Sequence, residues 1–122
     1  MIALTAQAWL ALAAFDLARP AGFARVCAWL QRRRTSSRSS GVSAEEIVWS
    51  VDEACVWYVK RAACLQRSVV ATWLLRLHGI PAQLVIGCRP LPFESHAWVE
   101  VDGRVVNDSP VYQRRLLVLH IA

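Results

Sequence analysis

Residues 95–108 read Ser95-His96-Ala97-Trp98-Val99-Glu100-Val101-Asp102-Gly103-Arg104-Val105-Val106-Asn107-Asp108. Asp-Gly flanked by β-branched and alternating runs is a strong hairpin signal. Two registers are open. A three-residue loop, Val101-Asp102-Gly103 with Gly103 left-handed, sets Glu100 against Arg104, Trp98 against Val106 and His96 against Asp108. A two-residue Asp102-Gly103 turn sets Asp108 against Ala97 and puts His96 on the other face. The opposite charges of Glu100 and Arg104 favour the first register. It brings a histidine and a carboxylate together on one face. Such a carboxylate fixes the tautomer of the ring and stabilises the imidazolium.

Upstream of this hairpin, Ala82 to Cys88 reads as a strand and residues 89–94, which hold Pro90 and Pro92, as a loop. Downstream, Leu116 to His120 adds a last strand. The rest is helical in pattern. Leu65, Val69, Val70, Trp73, Leu74 and Leu77 mark a helix over 62–77, stopped by Gly79. Ser43 and Glu46 form a capping box for the helix before it. Residues 2–18 have helical composition, and Pro20 suits the first turn of a second helix reaching about Arg33. The serine-rich stretch 35–41 reads as a linker. The expected organisation is a helical segment 1–34 suited to docking a partner, a linker 35–42 and a core over 43–122. Helices followed by an antiparallel sheet make an α+β fold.

Cys64 stands at the start of the fourth helix. A thiol there meets the positive end of the helix dipole and unpaired backbone N–H groups. Both favour the thiolate, the form that attacks carbonyls, and the same N–H groups can hold an oxyanion. A cysteine at such a position is more often a small buried hydrophobe. The partnership with His96 and Asp108 is what raises it to a candidate nucleophile, in the chain order Cys, His, Asp.

Composition narrows the classes. The chain has 122 residues, 56% of them hydrophobic, so one small domain can build its core without metal or disulfide staples. The net charge is +5, with Arg32, Arg33, Arg34 and Arg38 clustered. That cluster reads as a solvated segment or as a docking surface for an acidic peptide, protein or membrane. It is local and has no interleaved aromatics, so no nucleic acid partner is expected. Cys27, Cys55, Cys64 and Cys88 form no CxxC pair and no Cys/His cluster, so neither a metal nor another cofactor is expected. Residues 1–15 are uncharged and apolar but lack a basic flank, and Asp16 ends the run short of a membrane span. The expectation is a cytoplasmic protein with reduced thiols, in which Cys27, Cys55 and Cys88 are buried and inert. Trp98 divides evenly between core packing and lining the cleft. Asp102 and Glu94 are weaker rivals for the carboxylate role. Asn107-Asp108-Ser109 matches a glycosylation pattern, against which an ordered strand argues.

Taken jointly, these segments resemble a known family. They are Ala63-Cys64-Leu65-Gln66-Arg67-Ser68, Leu77-His78-Gly79-Ile80-Pro81-Ala82-Gln83-Leu84-Val85-Ile86-Gly87, His96-Ala97-Trp98-Val99-Glu100-Val101-Asp102-Gly103 and Val106-Asn107-Asp108. They are similar to the leader peptidases of lasso-peptide biosynthesis, in their stand-alone B2 form. The resemblance spans about residues 43–110. It implies a papain/transglutaminase-like fold and a cysteine protease that removes the leader from a ribosomal precursor peptide. Cys64 would be the nucleophile, His96 the acid and base, and Asp108 the orienting carboxylate. The implied partners are the precursor peptide, a small leader-recognition protein and the ATP-using cyclase that closes the macrolactam. Two alternatives stand beside it. The same triad can pass the acyl group to an amine, as in transglutaminases and arylamine acetyltransferases. A non-catalytic scaffold that only positions the precursor would carry the residues without thiol chemistry.

Overall fold

The computed structural model describes residues 2–38, 40–90, 93–109, 111, 113 and 116–122. Four helices, α1 (Ile2–Ala18), α2 (Phe23–Gln31), α3 (Ala44–Val56) and α4 (Cys64–Leu77), precede a sheet of β1 (Gln83–Pro90), β2 (Phe93–Val101), β3 (Arg104–Val105) and β4 (Leu117–Ile121). The sheet is antiparallel, in the order β3-β2-β1-β4. The α+β class read from the sequence is the class observed.

Helix α4 is the centre of the molecule. One side packs on β2 and β1, and the other meets α1 and α3. Its apolar stripe fits this position: Leu74 and Leu75 are fully buried, and Val69, Val70 and Ala71 nearly so. Truncating either leucine to alanine costs about 2–5 kcal/mol. Gly79 stops the helix with φ 86°. Buried Arg76 binds four backbone carbonyls, donating to those of Leu30, Arg33, Ala82 and Ala122. It thereby ties α2, the start of the sheet and β4 to α4.

Three sequence expectations change. The second helix does not run from Pro20. A 3₁₀ turn over Arg19–Ala21 ends at Gly22, whose φ of 94° only glycine adopts readily, and α2 starts afresh at Phe23. The expected loop over 89–94 is largely strand, because β1 reaches Pro90, which pairs with Phe93; Leu91 and Pro92 lie outside the described residues. Most consequentially, residues 1–34 are not set apart from a core over 43–122. Leu4, Ala8 and Leu12 of α1 share one cluster with Ile47, Val51, Leu74 and Val99. The 35–41 stretch is pinned as it passes: Ser36 N–H donates to the Arg76 carbonyl at 2.8 Å, and Ser40 meets the His78 ring at 2.7 Å. Ser43 caps α3 as read, its Oγ accepting from the Glu46 N–H at 3.2 Å, while the Glu46 side chain meets the Ser43 hydroxyl at 3.3 Å.

Candidate active site

The hairpin takes the two-residue turn. Val101 pairs with Arg104 and Glu100 with Val105, and both Asp102 (φ 52°) and Gly103 (φ 77°) are left-handed. That is the backbone of a type I′ turn, whose twist matches the flanking strands. The three-residue loop inferred from the Glu100/Arg104 charges is therefore not formed; turn geometry outweighs an exposed ion pair. By itself this register sends His96 and Asp108 to different faces.

They meet nonetheless. His96 Nε2 and Asp108 Oδ2 are 2.6 Å apart. The ladder ends early: β3 has two residues, and after the Val106 N–H bonds the Val99 carbonyl the chain leaves the strand. Asn107 manages the exit. Its Oδ1 accepts from the Val99 N–H at 2.8 Å, taking the place of a ladder carbonyl, and its Nδ2 donates to Ser68 Oγ at 3.0 Å. Ser68 in turn donates to the Ala97 carbonyl at 3.2 Å. Asn107 is thus bonded to β2 and α4 at once, and Asp108, the next residue, is carried over the open edge of β2 to His96.

Asp108 is saturated. Its Oδ2 also lies 3.2 Å from Arg67 Nη2, and its Oδ1 accepts from the Ser109 N–H at 2.8 Å. Burial alone would raise its carboxyl. The His96 hydrogen bond, the Ser109 amide and the charges of His96 and Arg67 outweigh burial and hold it below the ordinary carboxylate range. Arg67 also lies 3.8 Å from Asp52, whose carboxyl is raised, chiefly by burial, against the opposing pull of Arg67.

Cys64 is the first residue of α4. The preceding Ala63 is extended, no side chain caps the helix, and no acidic residue sits in its first turn. The first-turn N–H groups thus have no intrahelical acceptor and keep their positive character. Cys64, Arg67 and Ser68 occupy one face of α4 by their spacing of three and four residues. Arg67 reaches Asp108 and Ser68 reaches Ala97, so that face addresses β2. The half-buried Cys64 side chain packs against a cluster that includes Ala97, the neighbour of His96.

Trp98 lies inside the protein, 0% exposed, packed with Val85 and Leu116. Of the two positions left open by the sequence, core packing is the one it takes, and it does not line a cleft as a substrate-binding residue would. Its indole stacks on the His96 ring, with centroids 6.5 Å apart and planes at 23°, and donates to Glu100 at 2.8 Å. The rival carboxylates lie elsewhere: Asp102 is exposed in the turn, and Glu94 pairs with Arg89 at 3.6 Å. Asn107 is buried with both side-chain ends bonded, so it offers no glycan acceptor. All four cysteines are free, and Cys27 is buried, whereas Cys55 and Cys88 are only half-buried. Arg67, Asn107 and Ser68 are the site residues that sequence reading passed over. The spacing from Cys64 and the adjacency to Asp108 were the available signals.

The chain is 44% identical over 59 residues to the microcin J25-processing protein McjB of Escherichia coli, an alignment covering 48% of this chain and 28% of that relative. The chain therefore spans well under two thirds of that protein's length. No solved structure matches. A family model described as the transglutaminase-like superfamily matches residues 4–120, helices and sheet alike, and the chain belongs to that superfamily.

Proposed function

We propose that the protein is a cysteine peptidase that removes the leader from a ribosomally made lasso-peptide precursor, with Cys64, His96 and Asp108 as its triad. The observation that carries this reading is the 2.6 Å bond between His96 Nε2 and Asp108 Oδ2, beside an uncapped helix start that bears a cysteine. A proton held on Nε2 toward Asp108 makes Nδ1 the basic nitrogen of the neutral ring. The likeness to a protein named for processing microcin J25 supports the substrate class.

In this mechanism the Cys64 thiolate attacks the carbonyl carbon of the last leader residue. N–H groups of the first turn of α4 stabilise the tetrahedral oxyanion. The C–N bond breaks as imidazolium His96 gives its proton to the leaving amine, which frees the core peptide. His96, now neutral, takes a proton from water, and the hydroxide adds to the thioester. Collapse of this second intermediate releases the leader with a new carboxylate and restores the thiolate–imidazolium pair. Asp108 stays ionised and orients the ring throughout. No cofactor enters the scheme. A separate leader-recognition protein presents the precursor, and the cyclase receives the freed core peptide. The site of action is the cytoplasm.

Because the superfamily includes acyl-transfer chemistry by name, the acceptor must be identified. Mass spectrometry of the products formed in ¹⁸O-water does so. The reading expects one heavy oxygen in the leader carboxylate. An unlabelled leader joined to an amine would replace it with a transferase, and precursor binding without any thioester or product would leave a scaffold.

A further inference from the structure

Helix α1 is apolar on both sides. Leu4, Ala8 and Leu12 face the core, while Ile2, Leu10 and Leu17 point away from it and are 88%, 65% and 85% exposed. At 100° per residue Leu10 and Leu17 lie opposite the buried row, with exposed Ala3, Ala6 and Ala14 around them. The result is an outward aliphatic stripe about 25 Å long. The one charged residue of α1, Asp16, lies on the flank and is held by Tyr58, Arg19 and Lys60. A helix apolar all round belongs in a core or a bilayer, and an exposed patch of this kind marks an interaction surface.

The stripe opens into a cavity of about 390 Å³ between α1, α2 and α4, floored by Ala11, Ala14 and Ala18 and walled by Phe15, Val26 and Trp29. Arginines border it. Arg25 lines it, Arg19 lies over the Phe15 ring at 5.8 Å, and Arg33 lies over Trp29 at 5.0 Å. The basic charge of the chain is concentrated in its first third, where Arg33 and Arg34 also border a separate groove with Glu100 and Asp102. Residues 1–41 carry six arginines and one carboxylate, whereas residues 42–122 carry eight basic and eight acidic side chains. All of the net +5 therefore belongs to the first third of the chain.

We propose that this face docks on an anionic membrane surface, with α1 lying in the plane of the interface. Residues Ile2–Ala21 are long and apolar enough for a bilayer, and only 17% of their most apolar window is buried inside the protein. Spanning is a different matter: Leu4, Ala8 and Leu12 seal the core against α3 and α4, so the helix stays folded onto the domain and offers only its outer half. The chemistry matches an interface layer by layer. Leu10, Leu17 and Ile2 enter the acyl region, Phe23 and Trp29 (48% and 41% exposed) sit at headgroup depth, and the arginines meet phosphates. A protein partner is the poorer match, since protein interfaces intersperse hydrogen-bonding groups with apolar ones. The stripe offers only Gln7, whose Oε1 meets the His78 ring at 3.2 Å.

Flotation of the full chain with phosphatidylglycerol vesicles, beside phosphatidylcholine vesicles, tests this. The expected result is binding to the anionic vesicles at least tenfold stronger than to the zwitterionic ones. Leu10→Glu/Leu17→Glu abolishes it, and Arg25→Glu/Arg33→Glu weakens it roughly fivefold or more per arginine. All these positions are exposed, so both variants keep the wild-type circular dichroism spectrum and melting midpoint. Absence of flotation with phosphatidylglycerol overturns the proposal, as does flotation that survives Leu10→Glu/Leu17→Glu. A dimer that forms without lipid and is lost in the leucine variant assigns the stripe to a second copy of the chain and overturns it equally.

Discussion

Arg67 and His96 converge on the same oxygen of Asp108, at 3.2 Å and 2.6 Å respectively. The carboxylate is thereby held from α4 as well as from β2, and a fixed cation stands beside the proposed thiolate–imidazolium pair. Replacing Arg67 with glutamine keeps a donor but removes the charge. Asp108 then loses one of the charges that hold its carboxyl below the ordinary range and one of its two anchors on Oδ2. The expected outcome is a kcat for leader release at least severalfold lower, with KM for the precursor little changed. An unchanged kcat would show that Arg67 only packs.

Acid sensitivity should centre on Asp16. The Tyr58 hydroxyl, bonded to its Oδ2, is the largest influence, and with Lys60 it outweighs burial to bring the Asp16 carboxyl down to about 2. A carboxyl depressed in the folded state stabilises fully above its unfolded value of roughly 4, and that stabilisation fades as pH falls toward the folded value. Urea midpoints of wild type should therefore drop between about pH 4 and pH 2. Asp16→Asn should be less stable at pH 7 and show a shallower drop across that window. Tyr58→Phe should fall between the two.

Asn107 is the residue that carries Asp108 off the ladder. Asn107→Leu leaves the buried Val99 N–H without its acceptor and Ser68 without its donor. The expected cost is about 1–3 kcal/mol in urea denaturation. Leader release should fall much further than stability does, because Asp108 loses its anchor. Equal losses in both would reduce Asn107 to a structural part.

Gly87 allows Trp98 to lie where it does. A Cβ at position 87 would sit 2.7 Å from Trp98 Cη2 and 2.9 Å from Leu116 Cβ. Gly87→Ala should destabilise by about 1–3 kcal/mol and disturb the ring that stacks on His96. Gly87→Ala/Trp98→Phe, with a smaller ring, should recover part of the stability. Calorimetry of wild type, Gly87→Ala, Trp98→Phe and the double variant decides it, and additivity of the two substitutions would contradict the clash.

Much of this architecture is legible in the sequence because local signals agree. The Ser43/Glu46 box, the α4 stripe and Asp102-Gly103 each announce their element. The pairing of His96 with Asp108 is legible too, but through the wrong register. The Glu100/Arg104 match suggests a bulged loop, whereas the left-handed Asp102 and Gly103 form a tight turn, and only the side-chain bonds of Asn107 restore the meeting. Periodicity cannot foresee an asparagine substituting for a ladder carbonyl. Nor can it place α1: an all-apolar helix reads alike as a separate docking element and as a core element, and this one is core on its inner side. Trp98 is a similar case, since strand alternation gives its face but not the fact that Leu116 of the C-terminal segment closes over it.

The most direct test of the triad is the rate of leader release from a precursor peptide, followed by mass spectrometry with the recognition protein present, for wild type and Cys64→Ala at matched circular dichroism. The account expects clean release by wild type and none above background by Cys64→Ala. Release by Cys64→Ala at the wild-type rate would contradict it.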